Sequence, residues 1–129
     1  MTTFKAIHTE AAPAAVGPYS QATTAGDLIF CSGQIALDPK TSSLVEGGLE
    51  AQTHQVMANL KAVLAAAGGS FATLVKTTIY LSDMNDFRKV NEVYSSYLGA
   101  PYPARVTIEA SSLPLGALVE IDAIAYRSP

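Results

Sequence analysis

The chain has 129 residues, 49% of them apolar, and carries a formal net charge of −3. Its eight Lys and Arg residues are scattered among eleven Asp and Glu, a poor electrostatic footprint for nucleic acid. No apolar run approaches the roughly 18 residues a membrane span needs, and a single cysteine excludes an internal disulfide framework. The opening MTTFKAIHTEAAPAA lacks a basic stretch followed by an apolar block, so the expected compartment is the reducing cytoplasm. One domain spanning residues 1–129 is expected. A mean hydropathy of +0.24 is high for so small a monomer and points to apolar surface shared with other copies of the chain.

In chain order, Phe4 to Ile7 suits a short strand. Ala11 to Tyr19 is interrupted by Pro13, Gly17 and Pro18, so it reads as a surface loop. Ser20 to Ala25 and Leu28 to Ser32 form a predicted hairpin turning at Gly26-Asp27. Asp38 to Gly48 is loop. From Leu49 to Ala67, Val56, Leu60, Val63, Leu64 and Ala67 recur at helical spacing, and Gly68-Gly69 stops the helix. Val75 to Leu81 alternates and is rich in β-formers. A second helix is predicted over Asp86 to Leu98, with Phe87, Val90, Tyr94 and Tyr97 on one face. Strands Arg105 to Ala110 and Leu118 to Tyr126 follow. This order, β-β-α-β-α-β-β, describes an α+β domain whose two helices can cover only one face of a sheet of about six strands.

The last two strands each hold one awkward charge, Arg105 and Glu120. Removing an ion from water costs several kcal/mol unless it is paired or used. One explanation is a structural salt bridge between neighbouring strands. Another is an anion-binding arginine, whose fork matches a carboxylate bidentately, beside a water-activating glutamate. Alternation places Arg105, Thr107 and Glu109 on one side of their strand, and Glu120 and Asp122 opposite Val119, Ile121 and Ala123 on theirs. Arg105 and Glu120 are both expected on the sheet face without helices, where subunits would meet and form pockets.

The segments GPYSQA (Gly17 to Ala22), SGQIALDPKT (Ser32 to Thr41), VKTTIYLSDMNDF (Val75 to Phe87), and PARVTIEA with LVEIDAIA resemble the RidA/YjgF family of reactive-intermediate deaminases. They occur in family order, with fifteen residues from Arg105 to Glu120. The resemblance implies a chorismate-mutase-like fold, a homotrimer whose sheets line a central barrel, and sites at the subunit clefts. The implied activity is hydrolysis of 2-aminoacrylate-type enamines and their imines to 2-keto acids and ammonia, protecting pyridoxal-phosphate enzymes, with no metal or organic cofactor. By the same resemblance Arg105 clamps the substrate carboxylate and Glu120 holds or activates the attacking water. Tyr19, Ser32, Gly33 and Asn91 match pocket positions. The alternative class is a non-catalytic binder of small keto acids, which needs Arg105 but no water-placing Glu120. Ribonuclease or translation-inhibitor roles described for some members are disfavoured by the acidic balance.

Two departures from the family pattern stand out. Many relatives carry Cys where this chain has Thr107, whose hydroxyl can still line a pocket. The Asn91-to-Arg105 connection is about three residues short, so Gly99 to Tyr102 is a tight link that alters the pocket rim. Cys31, within an apolar strand, is expected to be a buried small hydrophobe. His8 and His54 are isolated, with no partner at zinc-ligand spacing.

Overall fold

The computed structural model describes residues 4–128. Six strands form one mixed sheet: β1 (Lys5–Ile7), β2 (Ala22–Ala25), β3 (Leu28–Gln34), β4 (Leu74–Leu81), β5 (Ala104–Glu109) and β6 (Val119–Tyr126). Their spatial order is β1-β2-β3-β6-β4-β5, antiparallel throughout except for the parallel pair β4–β5. Two helices, α1 (Gly48–Ala67) and α2 (Phe87–Ser96), accompany the sheet, so the expected α+β class and six-strand mixed sheet are found. Each expected strand and helix is present, with ends shifted by one to two residues, as fraying ends and local turns allow. No helix among the described residues is long and apolar enough to cross a membrane.

The reasons are local. The β2–β3 hairpin turns at Gly26, whose φ of 59° is open to glycine without strain. Val56, Leu60, Val63, Leu64 and Ala67 of α1 are all buried, and they meet Ile29, Ile79, Ile121 and Ala123 from the centre of the sheet. The chain leaves α1 at Gly68 in a left-handed conformation, its N–H bonding back to the last turn. α2 is shorter than its apolar pattern predicts. Tyr97 closes it, and the phenol of Tyr97 meets Nδ1 of exposed His54 on α1 at 2.6 Å.

One expectation is overturned. β5 and β6 are not neighbours, because β4 lies between them. In the parallel register Arg105 lies beside Thr77, and Thr77 is buried under Tyr94 of α2. Arg105 therefore points to the helix-covered side, whereas Glu120, opposite Tyr80, points to the uncovered side. On β6 the apolar residues face the helices. On β5 they face away, leaving Val106 44% and Ile108 42% exposed. Alternation groups residues by side but says nothing of which side receives the helices.

Buried amides brace the loops around the open face. The side chain of Gln21 accepts from Thr9 N at 2.7 Å and donates to Thr9 O at 3.0 Å and Pro13 O at 2.8 Å. Asn59 of α1 donates to the carbonyls of Ile35 and Leu37, and Gln52 accepts from Leu118 N just before β6. Gln21→Leu keeps the volume but orphans these backbone groups. It is expected to lower the unfolding free energy by about 2 kcal/mol and to speed amide hydrogen exchange around Thr9. Urea titration and exchange mass spectrometry measure both effects.

Candidate functional site

Glu120 forms part of a cleft of about 570 Å³ on the uncovered face. The β3–β6 ladder slips between Cys31 and Gln34, where three steps along β3 match two along β6. This bulge brings Ser32 and Gly33 beside Glu120. A Cβ on Gly33 would collide with the Glu120 carboxylate, lying only 2.9 Å from Cδ and 3.1 Å from Cγ. Glycine is needed there for space rather than for its backbone angles. The Ser32 hydroxyl donates to Ser20 O at 2.6 Å, so toward the cleft its oxygen can only accept. Tyr19 arches over from the N-terminal loop. Its hydroxyl accepts a long bond from Val16 N and keeps its proton available.

Most of the remaining wall is apolar, from Val16, Ile35, Leu37, Pro114 and Leu115. Leu115 holds a left-handed backbone, φ 57° and ψ 21°, while 71% exposed. A branched residue there costs on the order of 1 kcal/mol, a kind of strain that gathers at functional sites. The sequence carries one signal for it: the turn SSLPLG ends in a glycine that could have taken the strained angle, yet a leucine shares it.

Half-burial pushes the Glu120 carboxyl above the usual carboxylate range, and the Asp122 carboxylate two residues along β6 pushes it the same way. A raised folded-state pKa favours the fold most below the unfolded pKa, and that advantage is lost as pH rises through the folded one. Glu120→Gln removes the titration. Its melting temperature is expected to exceed the wild type's at neutral pH, the gain vanishing in acid, as thermal denaturation at both pH values will read.

Arg105 occupies a second cleft, of about 440 Å³, with Asn91, Tyr94, Ser95, Tyr102 and Pro103. Its Nη1 donates to Asn91 Oδ1 at 2.6 Å, and its guanidinium carbon lies 5.4 Å from the ring centroids of both Phe87 and Tyr94. The Tyr94 hydroxyl is in turn fixed by Thr77 at 2.7 Å, so the guanidinium is aimed by a braced ring. No carboxylate lies within ion-pair distance of it among the described residues, where the only ion pairs join Lys89 to Glu50 and Glu92. The neighbouring-strand salt bridge is therefore ruled out within the chain. An oriented, half-ringed and unneutralised arginine has the chemistry to take an anion.

The structure thus sorts the expected residues into two groups. Tyr19, Ser32, Gly33 and Glu120 share one cleft, while Asn91 and Arg105 share the other. Thr107 joins neither. It lies beside Ile79 on the helix side, and its Oγ1 is buried with no hydrogen-bond partner. Cys31 is buried as expected, and burial, with a smaller push from Asp122, raises its thiol to about 12, far from reactive. Gln21, Asn59 and Gln52, which fix the cleft walls, were missed in the sequence. The signal was present in α1, where Gln52 and Asn59 interleave with the apolar stripe instead of opposing it.

The fold and clefts define an α+β protein layered on one side only, with small-molecule-sized clefts at its open face and its β5 edge. A sequence-family profile described as Endoribonuclease L-PSP matches residues 9–127. A RutC family protein of Pyrococcus horikoshii is 54% identical over 121 residues, 94% of this chain and 96% of that protein. The 2-iminobutanoate/2-iminopropanoate deaminase of Mus musculus is 48% identical over 125 residues, 97% of this chain and 93% of that one. The crystal structure of E. coli TdcF with bound serine matches with a TM-score of 0.89 at 38% identity, covering 96% of this chain and 99% of TdcF. The chain belongs to the RidA/YjgF family.

Proposed function

We propose that this protein is an enamine/imine deaminase that hydrolyses 2-aminoacrylate-type intermediates to 2-keto acids and ammonia. The observation that supports it most directly is a half-buried Glu120 carboxyl, in no ion pair among the described residues, in a largely apolar cleft and with its proton affinity raised. Such a group can take a proton from water and return it to a leaving amine near neutral pH. The mouse relative bears the name of this activity.

The reaction balances simply. The enamine is protonated on carbon to give the iminium, and water adds to the iminium carbon while Glu120 accepts one of its protons. The carbinolamine then collapses, the C–N bond breaking as Glu120 returns that proton to nitrogen, and the hydroxyl proton leaves with the ammonia as ammonium. Arg105 holds the substrate carboxylate through its two-toothed fork, which fixes the imine carbon relative to the water. The Ser32 oxygen and the Tyr19 hydroxyl complete the polar lining.

One chain cannot bring both groups to one small substrate. Glu120 and Arg105 stand two strands apart, about 10 Å in the sheet plane, and face opposite sides. We infer that each site is completed between protomers of a homotrimer, the Arg105 edge of one copy meeting the Glu120 cleft of the next. The apolar surface of Phe30, Val106 and Ile108 on the open face is suited to such a contact.

The test is keto-acid release from 2-aminocrotonate generated in situ by a threonine dehydratase. Arg105→Ala and Glu120→Ala are each expected to lose about 100-fold or more. Mixing the two inactive variants by refolding is expected to restore about a quarter of wild-type activity, because that share of random interfaces pairs an intact Arg105 with an intact Glu120. No recovery in the mixture would place both groups of a working site in one chain. Gly33→Ala is a separate probe. The Glu120 side chain can swing away from the new methyl, so thermal stability should hold while kcat falls at least tenfold.

A second reading, a binder of small carboxylates without turnover, is favoured by the serine-bound TdcF structure. It predicts keto-acid binding by calorimetry that depends on Arg105 and is indifferent to Glu120→Gln.

A further inference from the structure

Residues 120 and 122 of β6 project to the same side of the sheet, one pleat apart. Across the ladder, Tyr80 stands opposite Glu120 and Thr78 opposite Asp122. The phenol of Tyr80 does not serve the residue it faces. It reaches diagonally and donates to Asp122 Oδ2 at 3.0 Å. The only proton Tyr80 has to give is thus committed to Asp122, which holds that carboxyl in place beside Glu120.

Resting on the deaminase reading above, we propose that Asp122, pinned by Tyr80, is a positioning residue that sets the proton affinity of Glu120 for its exchange with the attacking water. Among the described residues, the groups facing Glu120 leave this charge unopposed. On β6 there is Asp122. On β4 there is Tyr80, with Lys76 two pleats further along the same side and in no ion pair with either carboxylate. The N-terminal loop supplies Tyr19, and β3 contributes Ser32 and Gly33, its Cys31 thiol being buried in the core. The reach of the Asp122 charge is visible elsewhere, since it raises the Tyr80 phenol and contributes to raising the Cys31 thiol.

The reaction gives this arrangement a purpose. A carboxylate of ordinary acidity is a weak base toward water and holds almost no proton to return near neutral pH. A neighbouring fixed anion makes Glu120 a better base in the first step, and the proton it takes up goes to the amine in the second.

Asp122→Asn removes the charge yet keeps an oxygen acceptor for Tyr80, so the fold should survive. Two quantities are read in the assembled protein: the ¹³C NMR titration of the Glu120 side-chain carboxyl, and the pH profile of kcat/KM for 2-aminocrotonate. Whatever a neighbouring protomer adds is common to both proteins and cancels in the comparison. Both the NMR midpoint and the acid limb of the profile are expected to move to lower pH in the variant. An unmoved NMR midpoint overturns the proposal, and so does a moved midpoint with an unmoved acid limb. Should the wild type fail to turn over the substrate, the deaminase reading falls, and the NMR midpoint alone decides whether Asp122 governs Glu120. Asp122→Ser makes the same comparison if the Asn variant is unstable.

Discussion

Two helices cannot cover both faces of a six-stranded sheet, and this shortage shapes the rest of the molecule. β6 and the inner part of β4 turn their apolar residues toward α1 and α2, where they meet Val56, Leu60 and Leu64. Their polar residues, Glu120, Asp122 and Tyr80, are thereby sent to the side without helices. There they are half-buried by loops and by each other rather than by a second layer. A carboxyl in that position keeps access to water and still feels enough desolvation to bind its proton more tightly.

β5 answers the same shortage in reverse. As an edge strand lying parallel to β4, it offers its charged residues to the helix side and its apolar residues to the open side. Arg105 can afford that position because it does not enter the core. It stays exposed at the margin, stacked near Phe87 and Tyr94 and bonded to Asn91. Had β5 lain next to β6, Arg105 and Glu120 would have been free to neutralise each other. The intervening strand keeps the cation and the carboxyl apart, so each retains its capacity for a ligand.

The cleft around Glu120 is held from a distance by neutral amides. Gln21 straps the N-terminal loop that brings Tyr19, Asn59 ties the segment after β3 to α1, and Gln52 fixes the entry to β6. Neutral hydrogen bonds do this without adding a charge near the carboxyl. The left-handed Leu115 shows the opposite economy, with local stability given up to keep an apolar side chain at the cleft wall.

Period and turn chemistry by themselves determined the elements. The spacing of Val56 to Ala67, the Gly26-Asp27 turn and the alternation of Val119 to Tyr126 are each set by neighbours within a few residues, and the chain could be divided into strands and helices from them. The RidA/YjgF resemblance was likewise legible, since its segments are contiguous. Sequence also singled out Arg105 and Glu120 as charges in apolar surroundings. Only the tertiary structure decided that they lie on opposite sides with β4 between them, because strand order and the side that helices choose depend on contacts between distant segments. The same holds for the Ser32–Gly33 bulge, for the bond from Tyr80 to Asp122 across 42 residues, and for the amides that build the cleft. Each joins residues that no local pattern relates, and each exists only once the sheet has closed around a single covered face.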